Sequence, residues 1–272
     1  MRDPFGARLA AAVSARGPLC VGIDPHTSLL EQWDLPVDVT GLERFATTCV
    51  EAFAGQVAVV KPQSAFFEAH GSAGVAVLEW LIAAFRDTGT LVLLDVKRGD
   101  IGSTMAAYAQ AYLGEGSPLA ADAVTVSPYL GFGSLAPALD LAEQTGRGVF
   151  VLALTSNQEG PQVQRATGGN GVSVAQTMVD EAAARNAGAS PMGSVGLVIG
   201  ATVGRLDLDL SVLNGPVLAP GFGAQGAGVA ELKAVFGDLR HLLPTSSRDI
   251  LRHGPDAMAL REAALRVRDS LG

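Results

Sequence analysis

Eight short apolar runs, each followed by a stretch with helical spacing, set the tightest limit on how this chain can fold. The strand pattern falls over residues 18–24, 57–60, 91–97, 122–127, 148–154, 194–199, 217–219 and 240–243. Helical spacing follows over 41–54, 74–86, 101–113, 134–143, 172–185, up to 236 and over 256–271, with a short helical turn expected at 206–213. Strands that alternate with helices require a parallel sheet, and eight such units in 272 residues suit a closed TM-free (β/α)8 TIM barrel of the α/β class. The expectation is one barrel domain over residues 1–272, led by an amphipathic helix near its start.

An open, doubly wound sheet has the same periodicity, so the polar residues must decide. Asp24, Lys61, Asp95, Lys97, Ser127, Ser156 and Arg248 all stand at or just past the carboxyl ends of strands. A barrel gathers those ends at one mouth, where barrel active sites lie, whereas an open sheet spreads them along an edge. The barrel is the better reading.

The third strand carries the sharpest signal, Leu91-Val-Leu-Leu-Asp-Val-Lys97-Arg-Gly-Asp100. Side chains alternate faces along a strand, so Asp95 and Lys97 should share a face with Leu91 and Leu93. A charge pair at the end of an apolar strand is costly to desolvate unless it is well partnered or has a task. A structural salt bridge is the plain alternative. At about 4 Å and an effective dielectric near 20, one carboxylate favours a neighbouring ammonium by roughly 4 kcal/mol. Lys97 should therefore be a charged acid, suited to proton delivery and unsuited to imine formation, which needs the neutral amine. Asp100 is placed to cap the following helix.

The remaining composition narrows the partners. A formal charge of −8 argues against nucleic acid or an anionic membrane surface as a partner. The leading segment, MRDPFGARLAAAVSARG, mixes charges into its apolar run and lacks a signal-peptide pattern, and no stretch has transmembrane length. Cys20 and Cys49 read as reduced core thiols, which fits a cytoplasmic protein. A phosphorylated ligand would need a local site in so acidic a chain. The glycine-rich 221–228 loop, with Gln225 inside it, and Arg248 after the next strand provide one where barrels often hold phosphate. No metal is expected, because Lys61 and Lys97 place fixed cations in the same mouth and His26 and His70 lack ligand spacing.

Assembled in this way, the chain resembles the orotidine 5'-phosphate decarboxylase family. The resemblance rests on Asp95-Val-Lys97-Arg-Gly-Asp100-Ile-Gly-Ser-Thr104, which matches that family's Asp-x-Lys-x-x-Asp-Ile-x-x-Thr motif. It extends through VGIDPH at Asp24, VVKPQSAFFE at Lys61, VSPYLG after the fourth strand, TSN at Ser156, GFGAQG at Gln225 and SSRDIL at Arg248. The wording at SPYLG and TSN and the long 158–170 loop are similar to the longer bacterial branch.

That resemblance implies the decarboxylation of orotidine 5'-monophosphate to uridine 5'-monophosphate with no cofactor. Lys97 would protonate C6, and Asp95 would sit against the departing carboxylate within a network of Asp95, Lys97, Asp100 and Lys61. Asp24 and Lys61 would hold the ribose, Ser156 the pyrimidine, and Gln225 and Arg248 the phosphate. It further implies a homodimer in which Asp100 and Thr104 reach the neighbouring subunit's site. Two rivals stand beside it. One is a metal-dependent sugar-phosphate decarboxylase or aldolase of the same suprafamily, which would carry an acid where this chain has Lys61. The other is a non-catalytic nucleotide-binding barrel, which needs no proton donor at position 97. Arg98, Tyr129 and Arg205 are expected to brace loops.

Overall fold

In the computed structural model, which describes residues 2–169, 171–204, 206–223 and 228–272, the strands close into a barrel in sequence order. They are β1 Cys20–Ile23, β2 Val59–Pro62, β3 Leu91–Arg98, β4 Ala123–Val126, β5 Gly148–Leu154, β6 Val195–Ile199, β7 Val217–Pro220 and β8 Leu242–Ser246. Every neighbouring pair is parallel, and β8 returns to β1 with Thr245 opposite Cys20 and Ser246 opposite Val21.

The period of two along each strand divides the core in two. Val21, Val60, Val92, Leu94, Val124 and Val151 face outward and join the shell under the helices. Cys20, Val59, Leu91, Leu93, Ala123, Phe150, Val198, Leu218 and Leu243 face inward and fill the barrel. Continuing the inward series by one step reaches Lys61 on β2, Asp95 on β3, Thr125 on β4 and Thr245 on β8. The apolar filling thus gives way to a polar layer at the carboxyl ends.

The opposite end is stoppered by the helix Phe5–Arg16, whose Phe5, Leu9 and Ala12 belong to the interior cluster. Phe5 meets Phe150 edge-on at 5.9 Å between ring centroids. The fit requires Gly148, since a Cβ there would run into the Phe5 ring. Gly6 N–H donates to Ser194 Oγ at 3.1 Å and fixes the stopper to the start of β6.

Several sequence expectations are corrected. The last strand starts two residues later than expected and runs through Pro244, whose missing N–H is tolerated while its neighbours pair with β7 and β1. Residues 206–210 form no helical turn. Leu206, Leu208 and Leu210 instead all pack on the outer core, an alternation that helical spacing would break up. The short helices Thr27–Gln32, Ser64–Glu68, Pro161–Gln164 and Arg248–Leu251 lie in stretches read as loops or left unread. Asp100 does not cap its helix: the N-cap of Gly102–Leu113 is Ile101, and Asp100 Oδ1 accepts from the Ile101 N–H at 2.8 Å.

Candidate active site

At the carboxyl mouth lies a cavity of about 450 Å3 lined by Asp24, Lys61, Asp95, Lys97, Ser156 and Arg248 together. These are six of the sequence-derived site residues, drawn from five strand ends. Asp95 is the centre. Its Oδ2 accepts from Lys61 Nζ at 2.9 Å, and its Oδ1 accepts from Lys97 Nζ and from Thr125 Oγ1, each at 2.7 Å. Lys61 also lies 4.0 Å from Asp24 Oδ1.

Burial by itself would favour the neutral forms of both buried partners. The mutual charges outweigh it. Desolvation pushes the Asp95 carboxyl up, but Lys61 and Lys97 hold it far below the usual carboxylate range. Desolvation likewise lowers the Lys61 ammonium, and Asp95 and Asp24 more than reverse that and hold it above the ordinary lysine value. Asp95 and Lys61 are therefore a fixed anion and a fixed cation at any working pH.

Lys97 differs from Lys61 in its access. Its side chain is 45% exposed, against 6% for Lys61, so one ammonium is locked in the wall and the other reaches into the cavity. The backbone explains how. The β3–β4 register jumps between Leu94 and Arg98, and Lys97 takes a left-handed φ of +46°. Val96 and Lys97 both donate their N–H groups to Thr125 Oγ1 at 3.0 Å. One hydroxyl thus pins the bulge and the carboxylate together. A bulge that re-aims a side chain is a usual device beside active sites. Simple alternation places Asp95 and Lys97 on one face, as expected, but the bulge sets the ammonium at 2.7 Å.

Thr125 was not among the sequence candidates, nor were Gln63, His26, Phe66, Thr245 and Ser247, which also line the cavity. His26 and Phe66 pack ring against ring at 4.1 Å. Thr245 directly precedes the SSR motif and Ser247 lies within it, and that neighbourhood is the signal that could have found them. Thr245 Oγ1, Ser247 Oγ and Asp24 Oδ1 are buried with no hydrogen-bond partner among the described residues. Such groups are costly unless a ligand or water satisfies them.

Asp100 and Thr104 are not brought into this cavity; Asp100 is half-buried and Thr104 exposed. Arg98 braces, as expected: it pairs with Glu68 at 2.7 Å, donates to Tyr112 Oη at 3.3 Å and lies over the Tyr108 ring at 5.7 Å. Tyr129 is exposed. Gln225 and Arg205 lie outside the described residues. Among the described residues, no group of three or more His, Cys, Asp or Glu could hold a metal ion.

A closed β/α barrel with a glycine-and-arginine edge and an acid–lysine network in its mouth defines a class: barrel enzymes that act on phosphorylated ligands by charge and proton transfer. Comparison with known proteins makes this specific. Residues 17–263 match the model of the orotidine 5'-phosphate decarboxylase / HUMPS family, and the chain belongs to that family. Orotidine 5'-phosphate decarboxylase of Salinispora tropica is 64% identical over 266 residues, covering 97% of this chain and 96% of that one. The Streptomyces coelicolor enzyme of the same name is 62% identical over 264 residues, covering 96% and 95%. A Streptomyces avermitilis crystal structure assigned to this activity superposes with a TM-score of 0.97 at 60% identity, covering 99% of this chain and 95% of that one.

Proposed function

We infer that Lys97 is the proton donor of this protein's reaction, the decarboxylation of orotidine 5'-monophosphate to uridine 5'-monophosphate in pyrimidine biosynthesis. The observation that carries the assignment is an ammonium open to the cavity yet held 2.7 Å from a buried carboxylate. The bond from C6 to the carboxylate breaks, carbon dioxide leaves, and the electron pair stays on C6. Lys97 Nζ stabilises that carbanion and then transfers its proton to it, and solvent restores the ammonium. Asp95 opposes the substrate carboxylate and keeps Lys97 aimed.

The other roles follow the family resemblance, and the geometry at Asp24 supports the first of them. Asp24 Oδ1 is an acceptor without a donor, which a ribose hydroxyl supplies, with Lys61 beside it at 4.0 Å. Ser156 meets the pyrimidine. Arg248 holds the phosphate, joined by Gln225 from the glycine-rich loop. We assign the reaction to one domain spanning residues 1–272 and to no metal or cofactor, since Lys61 is buried where a metal-dependent relative would need an acid.

Asp100 and Thr104 lie outside the cavity but next to exposed Ile101, and exposed Tyr129 and Leu130 follow the adjacent strand. An apolar rim of this kind supports a homodimer in which Asp100 and Thr104 complete the neighbour's site. Buried free thiols at Cys20 and Cys49 support a reducing, cytoplasmic home. The first experiment follows the orotate ultraviolet band with purified protein, with and without chelator. Turnover in both arms is expected; an intact protein that leaves the band unchanged would defeat the reading, and chelator sensitivity would favour the metal-dependent rival. For subunit sharing, Asp100→Asn and Lys97→Ala proteins, each inactive, should regain part of their activity when mixed. Mixtures that stay inactive would place Asp100 in its own chain's site.

A further inference from the structure

We propose that a second cavity, on the opposite face of the barrel, binds the phosphate group of a small-molecule anion. The cavity holds about 290 Å3 and is bounded by the starts of β3 and β4, by the N-terminal segment and by Arg147, just ahead of β5. That volume is at the small end of ligand pockets, which run from about 300 to 1,000 Å3, and suits a mono- or diphosphate better than a whole nucleotide. Leu91 begins β3 there and Lys97 lies six residues on, so the two cavities are roughly 20 Å apart at about 3.3 Å per residue.

Its wall carries Arg2, Arg8, Arg86 and Arg147 against Asp87 and Asp122, a local excess of cation in a chain whose net charge is −8. These arginines are not equivalent. Arg8 is fully engaged: it pairs with Asp122 Oδ1 at 2.5 Å and donates to the Gly146 and Asp3 carbonyls at 2.9 and 3.2 Å. Asp122 spends its other oxygen on the Val92 N–H at 3.0 Å. That pair is architecture.

Arg147 is different. It is 5% exposed, it donates one Nη1 bond to the Ala121 carbonyl, and its buried Nε has no partner among the described residues. Among the described residues no carboxylate forms an ion pair with it, and Asp122 and Glu115 act on it only through space. Burial, reinforced by the nearby Arg2 charge, pulls its guanidinium down to about 10. Arg86 is exposed on the rim, and its side chain makes no hydrogen bond or ion pair among the described residues. Arg2 has only a 3.7 Å contact with exposed Glu115, which water screens. A buried cation without its anion is costly, and a phosphate is the ligand whose oxygens match a guanidinium's fork and satisfy several donors at once.

The test is calorimetric titration of the full-length protein with its active site saturated by uridine 5'-monophosphate. Inorganic phosphate, pyrophosphate and a pyrimidine nucleoside triphosphate are the probes. Pyrophosphate should show one further site per chain. Arg147→Met should weaken it roughly tenfold or more, the scale of a lost charge-assisted hydrogen bond. Arg86→Ser should weaken it by a smaller factor while leaving turnover unchanged; being exposed and unpartnered, it tests the site even if Arg147→Met does not fold. Equal affinity for phosphate and pyrophosphate identifies a single-phosphate site, and tighter triphosphate binding identifies a nucleotide tail. No additional site in the wild type, or binding unaltered in both variants, overturns the proposal.

Discussion

The two ends of this barrel handle buried charge in opposite ways. At the carboxyl mouth Asp95 is surrounded by two ammonium groups and a hydroxyl, so each buried charge has its counter-charge within 2.9 Å. At the amino end Arg147 is as deeply buried and has one carbonyl. The contrast shows that burial of a charge is informative only with its partners counted. A saturated network holds a reactive group in one position, and an unsaturated one has capacity left for a ligand.

The largest effect should come from the exposed arm of the saturated network. Lys97→Ala should cut turnover by at least about a thousandfold, in the range of a lost general acid, while uridine 5'-monophosphate still binds. Near-normal turnover in that variant, measured by the orotate band, would remove the proton-donor role. Next in size, Asp95→Asn leaves the buried Lys61 with only Asp24, 4.0 Å away, as a counter-charge and should cost about 3–5 kcal/mol of stability in urea titration. A cost below about 1 kcal/mol would mean that water already reaches Lys61.

The same substitution gives a pH test. The folded Asp95 carboxyl is held low by Lys61 and Lys97, so its contribution is complete above the unfolded value of about 3.9 and is lost as pH falls toward the folded one. The stability gap between wild type and Asp95→Asn should be flat from about pH 5 to 8 and shrink below about 4. A gap that shrinks on the alkaline side of neutrality would point to another group.

Thr125→Val removes the hydroxyl that ties the β3 bulge to Asp95. It should cost about 1–3 kcal/mol and lower kcat more than it raises KM, because Lys97 loses its aim before the ligand loses its contacts. Smallest of all, Arg147→Met should change stability by less than about 1 kcal/mol, since an apolar chain replaces a charge that has no ion-pair partner among the described residues. A loss matching that of Asp95→Asn would erase the contrast between the two ends.

How much of this was legible in the sequence depends on what each residue must do locally. Lys61, Asp95, Ser156 and Arg248 were readable because a polar residue ending an apolar run stands out, and strand ends converge in a barrel. Thr125 was hidden because threonine is also an ordinary strand former, and the Ala-Val-Thr-Val run looks apolar throughout. The bulge was hidden for a related reason. Lys97 adopts a positive φ that no glycine or asparagine announces, and its N–H is pinned by the Thr125 hydroxyl across the sheet. The 206–210 stretch shows the reverse failure: its alternating leucines encode the period of two, and the helical reading overlooked it. Arg147 was invisible, since nothing in the string tells a surface arginine from one closed over by the start of the chain.

The stopper helix ties an earlier-made segment of the chain to a much later one. Gly6 bonds to Ser194, 188 positions further on, so this helix cannot complete its docking until Ser194 has left the ribosome. At about 5–20 residues per second that is a delay of roughly 10–40 s, during which Phe5 and Leu9 have no core to enter. A nascent chain of this protein therefore carries the apolar face of this helix uncovered over that interval, and that face is the natural place for a chaperone to hold.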